Sequence, residues 1–115
     1  MTHPELVKRL FKPGEQILLS LTPLDCELLH AVVLINGEAG ELLDAIKKAI
    51  IYRKPIDLVH VREELGDIEF GLEAIRQCLN ISREETLEHN IIKLQTRYGN
   101  SYSDSAAQAR KDKAE

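Results

Sequence analysis

At 115 residues, 43% of them hydrophobic, the chain has the length and apolar content of one small domain that gains from oligomerisation. Its formal net charge of −4, with no basic run interleaved with aromatics, excludes a nucleic-acid-binding surface. No apolar run approaches the ~20 residues that span a bilayer and no signal-peptide pattern opens the chain, so a cytoplasmic protein without a membrane partner is expected. Cys26 and Cys78 lack metal-ligand spacing and are expected as buried free thiols, which suits a reducing compartment.

In chain order, Leu6, Val7, Leu10 and Phe11 predict a short helix over 4–11, ended by the Pro13-Gly14 turn. Thr22-Pro23 reads as an N-cap followed by proline at the first helical position, opening a helix over about 23–51. Pro55 disfavours helix before it and Asp57 can cap the next one, over about 57–79. Ser82 and Glu85 form a capping box for a helix over about 83–98, and Gly99 suits its C-terminal end. Residues 1–99 thus form the helical domain, and 100–115 a small, polar, charged tail, flexible or ordered by a partner. No strand alternation and no solenoid repeat occurs, so the fold class is all-α.

Two acid pairs stand at matched helical positions, Glu38 with Glu41 and Glu64 with Asp67. A spacing of three puts each pair on one helix face. Apolar heptad stripes run Leu28, Val32, Ile35, Ala39, Leu42, Ile46, Ala49 in the first helix and Leu58, Val61, Leu65, Ile68, Leu72, Ile75, Leu79 in the second. Each acid precedes a stripe position by one residue, so both pairs are expected to flank a helix–helix seam. Four acids converging there lose water and repel unless a cation lies between them. An all-oxygen set of this kind suits Mg²⁺ or Mn²⁺.

Gly37, Gly40, Gly66 and Gly71 lie inside predicted helices, where each costs about 1 kcal/mol relative to Ala. They gather around the acids, which points to close helix approach or to room for a ligand. In the last main helix, Asn90, Lys93 and Arg97 each precede a position of the stripe Leu87, Ile91, Leu94, Tyr98. An amide and two cations beside a metal–carboxylate cluster suit a polyphosphate ester, although lysine and arginine at such spacing also form ordinary solvated faces.

Together these residues resemble the MazG-like all-α nucleoside triphosphate pyrophosphohydrolases, relatives of the dimeric dUTPases and dCTPases. The resemblance rests on E-x-x-E at Glu38–Glu41, 22 intervening residues, and E-x-x-D at Glu64–Asp67. It rests also on GELLDAIKK, YRKPID, EELGDIEF, NIIKLQTRYG and His30 upstream, over roughly 24–113. The tail YSDSAAQARKDK looks like the short phage and bacterial branch. The resemblance implies a helical bundle completed as a homodimer or homotetramer, hydrolysing (d)NTPs or non-standard nucleotides to the monophosphate and pyrophosphate. By position, Glu38, Glu41, Glu64 and Asp67 would hold Mg²⁺, Lys93 and Arg97 would contact phosphates, and Asn90 the nucleoside. Gly37 stands where some members carry a further acid proposed as general base, which leaves Glu41 or Glu38 for that role. The absence of tryptophan, with Gly71 where some members place a tyrosine, leaves the base preference open.

His30 is read as covering the base or as a hydrogen-bonded seam histidine, the second preferred. His60, one turn before Glu64, is read as solvent-facing rather than supporting the acids. Lys48 and Lys54 either contact phosphate or, with Lys47 and Arg53, compensate a helix dipole. Arg110 and Lys113 either fold over a site or are solvated. Two rival classes remain: a di-iron carboxylate bundle, which needs two Glu-x-x-His motifs where only Glu27–His30 is present, and a non-catalytic helical dimerisation or regulatory module.

Overall fold

A computed structural model describes residues 1–113, and among these every regular element is helical: α1 His3–Leu10, α2 Gly14–Ser20, α3 Pro23–Ile51, α4 Leu58–Leu79, α5 Arg83–Tyr98, α6 Asp104–Ala109, and a 3₁₀ turn Lys111–Lys113. The helix starts follow the side chains that satisfy free backbone N–H groups. Thr22 and Asp25 form one capping box and Ser82 and Glu85 another, while the Asp57 side chain accepts from the His60 N–H. The α3 end is a Schellman closure, in which Lys54 N–H donates to the Ala49 carbonyl and Arg53 takes a left-handed φ of 54°.

Two features depart from the sequence expectation. Residues 14–20 form α2, because Pro13 supplies the extended residue before the first turn and Gly14 begins the helix instead of a loop. Residues 100–113 are structured: Ser103 caps α6, and α6 and the 3₁₀ turn pack back on α5. The expected tail also includes 114 and 115, which lie outside the described residues.

α3 and α4, joined by the short 52–57 connection, pack as an antiparallel hairpin, the main tertiary contact among the described residues. The buried line along it follows the expected stripes only in part, sharing Leu28, Ile35, Leu42 and Ala49 on α3 and Val61, Ile68 and Ile75 on α4. On α3 it runs Leu28, Ala31, Ile35, Glu38, Leu42, Ala45, Ala49, and on α4 Val61, Glu64, Ile68, Gly71, Ile75, Cys78. The helices meet where side chains are small. Ala31 is 3% exposed, and a Cβ on Gly71 would stand 2.5 Å from Ile35 Cγ1. This crossing turns Val32, Ala39, Leu58 and Leu65 outward and brings Glu38 and Glu64 from the flank onto the seam itself.

A single chain leaves much of its apolar surface in water. Leu29, Val33 and Leu43 on α3 and Leu58, Val59 and Phe70 on α4 are all more than half exposed. The accessible area is 9799 Å², against about 6,300 Å² for a compact protein of 13.0 kDa. The radius of gyration is 19.8 Å, against about 13 Å for a compact chain of this length. No described helix is long and apolar enough to cross a membrane.

Candidate active site

The seam register decides the site. Glu38 from α3 and Glu64 and Asp67 from α4 bring one carboxylate oxygen each to within 4.8 Å of one another. Glu41, one turn along α3, forms a second such group with Glu64 and His60. Glu64 is common to both and is 8% exposed. One of its oxygens lies 3.2 Å from His60 Nε2, while the other, Oε2, is buried and has no hydrogen-bond partner. A buried acceptor without a donor is costly, and the acids around it are acceptors too unless one carries a proton. The Glu38 carboxyl responds accordingly. Sharing a hydrogen bond with Glu64, losing water, and facing the charges of Glu64, Asp67 and Glu41, it is pushed up to about 7. Hard oxygen donors with one imidazole and an unsatisfied oxygen in the middle fit a divalent cation.

For His60 the sequence reading favoured solvent over the acids, and the structure gives it both: its side chain is 41% exposed and its Nε2 meets Glu64. Its i, i+4 spacing to Glu64 was the available signal, but the expected stripe put both residues at the seam's edge. The glycines also separate into two kinds. Gly71 marks the close crossing, whereas added Cβ atoms at Gly37, Gly40 and Gly66 would meet nothing within 4 Å. Space beside the acids is therefore open in the single chain.

The remaining candidates lie apart from this cluster. His30 lines a cleft of about 470 Å³ with Glu27, Phe70 and Cys78, two helical turns from Glu38. The Cys78 thiol is raised by burial and by Glu27, whose Oε2 is 3.6 Å from its sulfur. Both cysteines are free, but Cys26 is exposed and Cys78 only half-buried, because the two-helix seam is too thin to enclose them. Lys48 pairs with Asp44 at 2.8 Å, Lys54 is exposed in the connection, and Asn90 is exposed on α5. Lys93 and Arg97 are half-buried, yet among the described residues α5 packs chiefly on α6 and the 3₁₀ turn, with no comparable contact to the acid-bearing hairpin. Arg97 is engaged by Asp112 at 2.7 Å.

An antiparallel helix pair with an acidic cluster on its seam defines an all-α protein equipped to hold a divalent cation. Residues 27–101 match the MazG nucleotide pyrophosphohydrolase domain, and the chain belongs to that family. The match spans both acid pairs and α5. No curated protein and no solved structure matches the chain.

Proposed function

We propose that this protein is a divalent-metal-dependent nucleoside triphosphate pyrophosphohydrolase, converting (d)NTPs or non-standard nucleotides to the monophosphate and pyrophosphate. The observation that carries the reading is the buried, unpartnered Glu64 Oε2 surrounded by Glu38, Asp67 and Glu41. Family membership supports the reaction class. Glu38, Glu41, Glu64 and Asp67 would hold Mg²⁺ or Mn²⁺, which when bound polarises phosphoryl oxygens and acidifies water. The chain's own groups do the rest. His60 fixes Glu64 by its Nε2 contact, and Glu38 or Glu41 accepts the proton of the attacking water. Asn90 meets the nucleoside, and Lys93 and Arg97 the outer phosphates. Lys48, Lys54 and His30 are further candidates for substrate contact.

Because α5 makes no comparable contact with the acid-bearing hairpin within one chain, we propose that a second copy supplies it, in a homodimer or homotetramer. The accessible area in excess of a compact monomer supports this. Free thiols on Cys26 and Cys78 suit a reducing cytoplasm.

The test is a panel of common and damaged (d)NTPs with Mg²⁺ or Mn²⁺ in ¹⁸O-labelled water. The expected products are pyrophosphate and a monophosphate carrying the label. Labelled orthophosphate with NDP would refute the proposed bond cleavage, and no turnover of any substrate would favour a non-catalytic dimerisation module.

A further inference from the structure

His60 and Glu64 lie four residues apart on α4, which puts both side chains on one helix face, one turn apart. The same spacing serves metal-binding helices, where two such side chains grip one ion. Here the imidazole Nε2 stands 3.2 Å from Glu64 Oε1. Two donors held about 2.1 Å from one ion, at tetrahedral or right angles, stand about 3.0–3.4 Å apart. The pair thus already has the separation of two ligands. α3 brings a third donor across the seam: a Glu41 oxygen, the imidazole and a Glu64 oxygen all lie within 4.8 Å of one another.

Spacing alone does not make this arrangement. Glu85 and His89 share it on α5, but Glu85 accepts from the Ser82 N–H at 3.0 Å, and no third donor joins them among the described residues. What sets His60 apart is the Glu64 carboxylate. Its side chain is 10% exposed, with Oε1 beside the imidazole and Oε2 buried without a partner. One carboxylate can therefore serve both groups, Oε1 with His60 and Glu41, and Oε2 with Glu38 and Asp67. The donor chemistry of the two groups differs. Glu38, Glu64 and Asp67 offer oxygen only, which suits Mg²⁺, whereas an imidazole in the set shifts preference towards borderline first-row ions. Neutral imidazole binds an ion through a ring nitrogen free of hydrogen, so the ion would stand between Nε2 and Glu64 in place of a shared hydrogen.

We propose that Glu41, His60 and Glu64 form a second cation site, selective for a borderline first-row divalent ion such as Zn²⁺ over Mg²⁺, with Glu64 bridging it to the acid-only group. This deepens the pyrophosphohydrolase reading and rests on it only for Mg²⁺ in the neighbouring group.

The test uses the full-length, tag-free protein with Zn²⁺ as the probe and Mg²⁺ in excess. Calorimetric titration should show one Zn²⁺ bound per chain. His60→Gln keeps an amide N–H for Glu64 but removes the imidazole. It should weaken Zn²⁺ at least about tenfold more than it weakens Mg²⁺, since loss of even an outer-shell partner costs about 10–100-fold in affinity. Equal weakening of both ions would make His60 a support for Glu64 only, and would overturn the site. In ¹⁵N-histidine NMR with one equivalent of Zn²⁺, Nε2 of His60, alone among four imidazoles, should take the shift of a metal-bound nitrogen. That shift at His3, His30 or His89 instead, or at none, overturns the proposal as well. Asp67→Ala removes an acid of the other group alone and should leave the His60 shift in place, whereas its loss would merge the two groups into one site. Mg²⁺-dependent turnover without Zn²⁺ on His60 removes this site and leaves the activity standing. Zn²⁺ bound to His60 in a protein that turns over no nucleotide does the reverse.

Discussion

Replacing Glu64 with Gln keeps its shape, removes a charge, and gives the buried orphan position an amide donor. In metal-free protein that change relieves the repulsion among Glu38, Glu64 and Asp67, so the thermal midpoint should rise. With Mg²⁺ present the outcome inverts. Wild type gains stability by binding the ion in its native state only, and Glu64→Gln should gain little and lose turnover by about a hundredfold or more. Thermal melts with and without Mg²⁺ separate this from a general packing defect, which would lower both midpoints. Asp67→Ala should likewise lose turnover while keeping its helical circular dichroism, since Asp67 is exposed.

Glu38 sets a pH dependence of definite sign. Its carboxyl titrates at about 7 in the folded, metal-free chain and near 4.5 when unperturbed, so the folded state binds more protons between those values. This stabilising contribution is complete below about 4.5 and is lost as pH rises through about 7, so the metal-free midpoint should fall across that window. Metal requires the ionised form and should expel the proton. Mg²⁺ titrations at pH 6.5 in buffers of different ionisation heat should therefore show net proton release, and Glu38→Gln should abolish it. Release unchanged in Glu38→Gln would assign the proton to another group.

At the scale of elements, Gly71 reports the register of the α3–α4 seam. Gly71→Ala gains about 1 kcal/mol of helix propensity but forces a Cβ to 2.5 Å from Ile35 Cγ1, and overpacking of that kind costs about 1–3 kcal/mol. Net destabilisation is expected in denaturant melts, and it should shrink in an Ile35→Ala background, where the obstructing atoms are gone. Gly66→Ala meets open space and should not destabilise the hairpin. This crossing also marks how far the sequence could be read. Caps at Thr22, Asp57 and Ser82 are local chemistry, and they made three helix starts legible. Acid pairs at spacing three made the cluster legible too. What failed were the alternate positions of each stripe, where packing selected Ala31, Glu38, Glu64 and Gly71, each one residue before the expected Val32, Ala39, Leu65 and Leu72, because the helices approach closest where side chains are small. With them went the burial of Glu64 and its contact with His60. The fold-back of residues 100–113 was hidden for a related reason: it hangs on a pair fifteen residues apart, Arg97 with Asp112, which no local pattern announces.

At the scale of the molecule, the separation of α5 from the acids makes the proposed assembly testable through activity alone. Suppose each site takes its acids from one copy and Lys93 from another. Asp67→Ala and Lys93→Ala proteins are each inactive, but a mixed dimer then holds one site with both defects and one with neither. Random re-pairing from denaturant makes half the dimers mixed, so the co-refolded mixture should recover about a quarter of wild-type turnover. Sites built within one chain would recover none. Disrupting association should act in the same direction. Val33→Asp sits on a more than half-exposed apolar face of α3, away from the acids on the seam, and should convert the protein to an inactive monomer in light scattering. A Val33→Asp monomer that retained full turnover would show that one chain carries a complete site, and α5 would then have to swing onto its own hairpin to reach it.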